Sequence, residues 1–271
     1  MTDKSRLTDG QRIIKYTALT VAVLVIASIA SGIAGIIEAV FGGGRIGEMR
    51  RYEISENVSR LDMEIGGASF SVVYADGFAV ESNIENLKVS ANRGELRIEE
   101  KTFINKDSRG AEITLYVPEN FSFENAEIET GAGDFNISSF SAKRLSLSLG
   151  AGKVEIGELT VTESAEIDGG AGAFSVKGGS IRDLDLDMGV GNMEIRAELL
   201  GQCELNLGIG NTRLSLIGSS DAYKLDIEKA LGRLTVDGTE YSGSTVIGTG
   251  DAKIDIECGI GEVSVSFEAL P

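Results

Sequence analysis

Between Asn125 and Val265 apolar and polar residues alternate in short runs, and successive runs are joined by Gly-x-Gly. The joint reads GAGDFNI from Gly131, GAGKVEI from Gly150, GAGAFSV from Gly170, GVGNMEI from Gly189 and GIGNTRL from Gly208, with starts 19, 20, 19 and 19 residues apart. Alternation with a period of two predicts strands that have one dry and one wet side. A phrase of this length held over five copies predicts a solenoid, in which each copy is one coil that buries its apolar side against its neighbours.

Aligning the copies on the first Gly defines four rows. Three places before it stand Ile128, Leu147, Ile167, Leu186, Leu205 and Ile227, and five places before it Ala126, Leu145, Ala165, Leu184, Cys203 and Leu225. Four places after it come Phe135, Val154, Phe174, Met193, Thr212 and Leu234, and six after it Ile137, Ile156, Val176, Ile195, Leu214 and Val236. All four rows are expected to face the interior. The residue between the glycines is also apolar (Ala132, Ala151, Ala171, Val190, Ile209, Leu231), which predicts a corner that still points one side chain inward. A sixth copy at Ala230-Leu231-Gly232 has lost one Gly, and a seventh, GIGEVSV from Gly259, follows an insert around Thr239 to Ile247 that reads as a loop or protruding turn.

Upstream the phrase survives in degraded form. Leu61, Met63 and Ile65 precede Gly66-Gly67, with Phe70 and Val72 beyond, and a second degraded copy surrounds Leu87, Val89, Asn92, Gly94, Leu96 and Ile98. Pro118 follows Val117, where a strand end tolerates the missing donor. The expected fold is therefore all-β: a single-stranded β-helix or β-solenoid of about ten coils with a 19–20-residue repeat. Its ends need caps, and the polar start of the ectodomain and the tail SFEALP are the candidates.

The N-terminus departs from this pattern. Tyr16 to Ile37 carries no charged residue and as a helix would be about 33 Å long, enough for a hydrocarbon core of about 30 Å. The chain thus divides into a cytoplasmic segment (1–15), a transmembrane α-helix (16–37), a linker (38–56) and a β-solenoid ectodomain (57–271). Lys4, Arg6, Arg12 and Lys15 before the span, against Arg45, Arg50 and Arg51 after it, favour a cytoplasmic N-terminus slightly. A cleaved signal peptide is the competing reading, because Ser28-Ile29-Ala30 offers small residues at suitable spacing.

Composition changes the picture in two ways. With 25 Lys and Arg against 42 Asp and Glu, the net charge is −17. That argues against nucleic acid and fits a soluble acidic surface or a basic partner. The chain has no His, which removes the His-dependent triads and the commonest zinc ligand. No enzymatic activity and no cofactor are expected. The candidate chemistry is an acidic ladder four places before the Gly, formed by Glu127, Glu166, Asp185, Glu204, Asp226 and Asp255 and interrupted at Ser146. Beside it, two places before the Gly, run Glu129, Asp168, Asp187, Glu228 and Glu257. A solvated face that discourages association is the plain reading, and divalent cations such as calcium are the sharper one. Gly-x-Gly lacks the third Gly, the helix and the βαβ unit of a dinucleotide site. Cys203 and Cys258 read as small buried hydrophobes, separated by an intervening coil and too far apart for a disulfide. Tyr223, Tyr241 and the nearby loop are a weaker candidate patch.

The run LYVPENFSFENAEIETGAGDFNI, followed by the GAG, GVG and GIG copies behind an apolar span, resembles the bacterial putative adhesin family of β-strand-repeat proteins, a family of unknown function. The similarity covers roughly residues 55 to 268. It implies a β-solenoid outside the membrane and carries over no catalytic residues. The expected function is a non-catalytic, membrane-anchored cell-surface solenoid that acts as an interaction surface, adhesin-like or serving envelope organisation or stress sensing. Its partners would be the membrane, through residues 16–37, and a protein or envelope polymer on the solenoid faces. The alternative is a self-assembling filament on the cytoplasmic side, resembling the bactofilins. Polysaccharide-cleaving β-helices are a third class, disfavoured because the carboxylates repeat evenly instead of clustering in a cleft.

Overall fold

The computed structural model describes residues 46–100 and 110–269. The proposed span at 16–37 lies outside them, and no helix among the described residues is long and apolar enough to cross a membrane. In chain order the strands are β1 (Ile46–Glu53), β2 (Arg60–Gly67), β3 (Ser69–Ala75), β4 (Ala79–Ile84), β5 (Leu87–Asn92), β6 (Glu95–Glu100), β7 (Glu112–Pro118), β8 (Phe123–Val176), β9 (Gly179–Arg182), β10 (Leu184–Leu200), β11 (Gln202–Ile217), β12 (Tyr223–Val236), β13 (Thr239–Tyr241), β14 (Thr245–Gly248) and β15 (Ala252–Glu268). All belong to one sheet. It is a stack of parallel coils, each bent at its glycine corner, so that every coil adds one strand before the corner and one after it.

Repeat register is kept from coil to coil. Gly191 lies opposite Gly172 and Gly210, and Gly261 lies opposite Gly210 and Gly232. The second Gly of the phrase adopts positive φ, for example 145° at Gly172 and 150° at Gly210. A Cβ on Gly210 would stand 1.6 Å from the carbonyl oxygen of Gly191, and one on the first Gly of a copy, Gly208, would stand 2.5 Å from that of Gly189. Backbone packs directly on backbone at the corner, so both glycines are there for steric reasons.

The four predicted rows are all buried and belong to one continuous core, with Thr212 the polar member. Two further inward rows complete it: Thr130, Met188, Leu207 and Cys258 just before the first Gly, and Phe140, Leu159 and Leu199 on the run beyond the second strand. Because the interior is already occupied just before the corner, the alternation resets across Gly-x-Gly. The residue between the glycines therefore points outward, against expectation: Val190 is 43% exposed, Ile260 39% and Leu231 49%.

The order of coils also departs from chain order. β15, the seventh copy, lies between β11 and β12, pairing parallel with both. The insert before it is not a free loop: β13 and β14 run antiparallel along the two halves of β12 and cover that end of the stack. Ser266 to Glu268 of the tail pair with β11 inside the stack, so the tail is no cap. At the other end the covering strands are β5, antiparallel to β6, β4, antiparallel to β7, and β1, antiparallel to β4. Residues 46–53, expected in the linker, thus form β1. The copy at Gly66-Gly67 is a true corner, with Phe70 and Val72 opposite Phe135 and Ile137. The one around Gly94 is a hairpin whose two central residues, Arg93 and Gly94, have φ of 50° and 80°, as a tight primed turn requires.

Candidate functional site

The outward residues before the corner form two parallel lines of carboxylates. In stack order the first runs Glu127, Glu166, Asp185, Glu204, Asp255, Asp226, with Ser146 as its gap. Strand spacing places successive members about 4.8 Å apart. The second runs Glu64, Glu129, Asp168, Asp187, then Asn206, Glu257 and Glu228, with Ser148 and Asn206 neutral. Its members from Glu64 to Asn206 form the wall of an open groove of about 920 Å³ that follows the corner along the stack. Gly66, Gly131, Gly150, Gly170, Gly189 and Gly208 line the groove. The first Gly of each copy sets no side chain there, and the corner is left as a trough beside the outward residue between the glycines. No Lys or Arg among the described residues lines it.

Many of the cations are engaged elsewhere. Glu155 holds Lys153 at 2.9 Å and Lys177 at 3.5 Å, Arg196 reaches Glu268 at 2.7 Å, and Arg144 pairs with Glu163. The nearby lysines hold the Glu155 carboxyl below the usual range. At the β6 end Arg97 pairs with Asp62, Glu95 and Glu99. Among the described residues none of the six predicted ladder carboxylates has a cationic partner within an ion-pair distance, whereas Asp62, which lies opposite Glu127 and extends the first line, is held by Arg97. The result is felt where the two lines are densest. Partial burial, then Asp187, Glu204, Glu166 and Asp168, push the Asp185 carboxyl above the usual range.

The structure brings the six predicted ladder residues into one line but not into a ligand cage. No group of three or more His, Cys, Asp or Glu side chains converges as a metal site among the described residues. A line with one carboxylate per coil lacks the enclosing oxygens that calcium takes. Cys203 and Cys258 lie on directly adjacent coils, with no coil between them as had been expected. They are offset by four positions, Cys203 opposite Ile254 and Cys258 opposite Leu207, or about 13 Å along the strand. Both are free and buried, and burial pushes the Cys203 thiol up to about 11. Tyr223 is no surface patch either: it is 2% exposed, and its hydroxyl donates to the carbonyl of Ile217 at 2.6 Å.

The groove itself is the feature that residue-by-residue reading missed. Its wall was visible as the second acidic row; what was absent was the outward phase of the corner. Two polar atoms along it lack partners. Thr130 is 8% exposed and its Oγ1 makes no hydrogen bond, and the Oδ1 of Asn206 makes none although its Nδ2 donates to Glu204 at 3.2 Å.

The family model described as Toastrack DUF4097 matches residues 79–266. No curated protein matches the chain. Among solved structures, a putative cell adhesion protein from Clostridium sporogenes is similar at 14% identity, covering 82% of this chain and 99% of its own, with a TM-score of 0.36. A putative adhesin from Bacteroides fragilis matches at 10% identity over 80% of this chain and 96% of its own, with a TM-score of 0.34. One from Parabacteroides distasonis matches at 12% identity over 84% and 98%, with a TM-score of 0.35.

Proposed function

The chain belongs to the Toastrack DUF4097 family, and from that premise we propose that it is a non-catalytic, membrane-anchored cell-surface protein whose β-stack serves as an interaction surface, adhesin-like or engaged in envelope organisation or stress sensing. The observation that carries this reading is the double line of carboxylates: none of its six predicted ladder residues has a cationic partner within ion-pair distance, on a stack that pairs many of its cations with other carboxylates. A stable fold does not need such a line, since like charges at strand spacing oppose one another. A basic partner relieves that repulsion. The even spacing argues against a catalytic role, which needs unlike groups brought to one point. The apolar segment 16–37 supports an anchor with the stack outside the membrane.

The filament reading fits less well, because antiparallel strands cover both ends of the parallel stack and end-to-end growth needs an open edge. The test is to treat intact cells carrying the full chain with protease and to cross-link and recover its neighbours. Cleavage within the stack and recovery of an envelope protein or polymer are the expected results. Protection of the stack on intact cells, with cleavage only after lysis, overturns the surface location.

A further inference from the structure

An Asp-Gly step can rearrange its own backbone without an enzyme. The chain has four, at Asp9, Asp76, Asp168 and Asp237, and no Asn-Gly; the first lies outside the described residues. In the reaction the amide nitrogen of the glycine attacks the side-chain carbonyl carbon of the aspartic acid, one water leaves, and an imide ring joins side chain to main chain. Water then reopens the ring on either side. Opening at the α-carbonyl leaves the main chain running through the former side chain, one methylene longer, with a free α-carboxylate. One water has been lost and one regained, so the mass is unchanged. Geometry decides the rate. The carboxyl must be free to swing onto the nitrogen, that nitrogen must not be tied in a hydrogen bond, and no Cβ may crowd it.

Two of the three described steps are held. Asp168 and Gly169 lie within β8 opposite Asp187 and Met188 of β10, where the ladder fixes the torsions that ring closure has to turn. A Cβ on Gly169 would already stand 3.2 Å from Cγ of Met188. Asp237 and Gly238 form the turn between β12 and β13, with φ of 47° and 76°. There the Oδ1 of Asp237 accepts from the N–H of Phe267 at 3.3 Å, and its own N–H donates to the carbonyl of Val265 at 2.9 Å. Asp76 is free. It and Gly77 make an exposed bend between β3 and β4. Neither the Asp76 carboxyl nor the Gly77 N–H has a partner among the described residues, and a Cβ on Gly77 would meet nothing within 4 Å. We propose that Asp76 is a modification site, at which the chain converts spontaneously to isoaspartate. The change acts on its surroundings because the bend is anchored on both sides. Ala75 lies opposite Pro118 of β7, while Phe78 packs edge-on against Phe121 at 4.8 Å and its carbonyl accepts from the N–H of Ile54 at 3.0 Å. A methylene added between these anchors displaces the aromatic group at that end of the stack.

The experiment holds the full chain in an uncharged detergent at physiological temperature and mildly acidic pH for several weeks. Isoaspartate is then labelled with an isoaspartyl O-methyltransferase and a tritiated methyl donor, and located by peptide mass spectrometry with electron-transfer fragmentation. The yield at Asp76 should exceed that at Asp168 and at Asp237 at least tenfold. In urea, where the fold no longer holds the other two steps, the three yields should converge. Gly77→Ala, which fills open space, should lower the yield at Asp76 at least tenfold. Equal yields in the folded chain, or no isoaspartate at Asp76, overturn the proposal. So does a difference that survives in urea, which would belong to local sequence and not to the fold, or a yield that Gly77→Ala leaves unchanged. Should Gly77→Ala fold poorly, the wild-type comparison with and without urea decides alone.

Discussion

From Gly131 to Gly261 neighbouring coils meet backbone to backbone at the corner, whereas around β1 to β7 specific side-chain contacts are added to the backbone ladders. In the regular part a carbonyl oxygen of one coil occupies the place where the next coil's Cβ would be. At the other end, Phe78, Phe121, Phe123 and Phe140 pack ring on ring at 4.8 to 5.5 Å. There Arg51 lies 4.3 Å over the ring of Tyr116, whose hydroxyl donates to Glu81 at 2.6 Å. Glu100 accepts from the backbone N–H groups of Gly66 and Gly67, at 3.0 and 3.4 Å. A repeat can rely on the backbone because each coil has an identical neighbour. An end has no such neighbour, so particular side chains must define where the stack stops.

Substitutions can break that comparison. The largest effect is expected at Gly191→Ala, where a Cβ would stand 1.8 Å from the carbonyl oxygen of Gly172. Loss of cooperative melting, or destabilisation beyond about 5 kcal/mol, is the expected result. Gly77→Ala, with nothing within 4 Å, should stay within about 0.5 kcal/mol. Similar melting curves for the two would show that the corner relaxes and that the backbone contact is not what holds it. Next comes Phe123→Ala. Its ring is 1% exposed, and its removal should cost about 3–5 kcal/mol in chemical denaturation. A cost near that of a surface change would mean that the aromatic group does not define the end.

Within the regular core, Thr212 is 2% exposed with an unpartnered hydroxyl. Thr212→Val should raise stability by about 1 kcal/mol; a loss would reveal a hydrogen bond that forms in solution. The smallest effect belongs to the outer line. Because the Asp185 carboxyl sits above its usual range, the folded chain holds that proton more readily than the unfolded one. The contribution of Asp185 is then most favourable below the ordinary aspartate value of about 3.9 and falls as pH rises through the raised one. Asp185→Asn should melt slightly above wild type at pH 7, and the gap should close on acidification. A gap that widens on acidification would reverse the sign.

Much of this is legible in the sequence. The rows through Ile128, Leu147, Phe135 and Ile137 were correct because a period of two with one dry side admits one phase. The outward turn of Val190 was hidden, since an apolar residue between glycines looks like core until the preceding inward residue, Met188, is counted. The position of β15 was hidden for another reason. Leu205, Ile227 and Ile256 offer nearly the same apolar face, so the copies are interchangeable neighbours by pattern. What distinguishes them is the connection that β13 and β14 form along β12. The acidic lines were visible residue by residue. The trough beside the second of them follows from the phase reset and could not be read without it.

Placing β15 between β11 and β12 also sets an order of events in synthesis. Across the regular coils, partners such as Asn192 and Asn211 are 19 residues apart, and a coil can close on its predecessor almost as soon as it is made. Ser215 must wait for Ser266, 51 residues later. Until that segment has emerged, the growing edge at β11 has no parallel neighbour and β12 has nothing to rest on. Assembly that runs like a zip through the early coils should therefore pause and finish by a late insertion. This is the slow, non-local step on which the folding rate would depend.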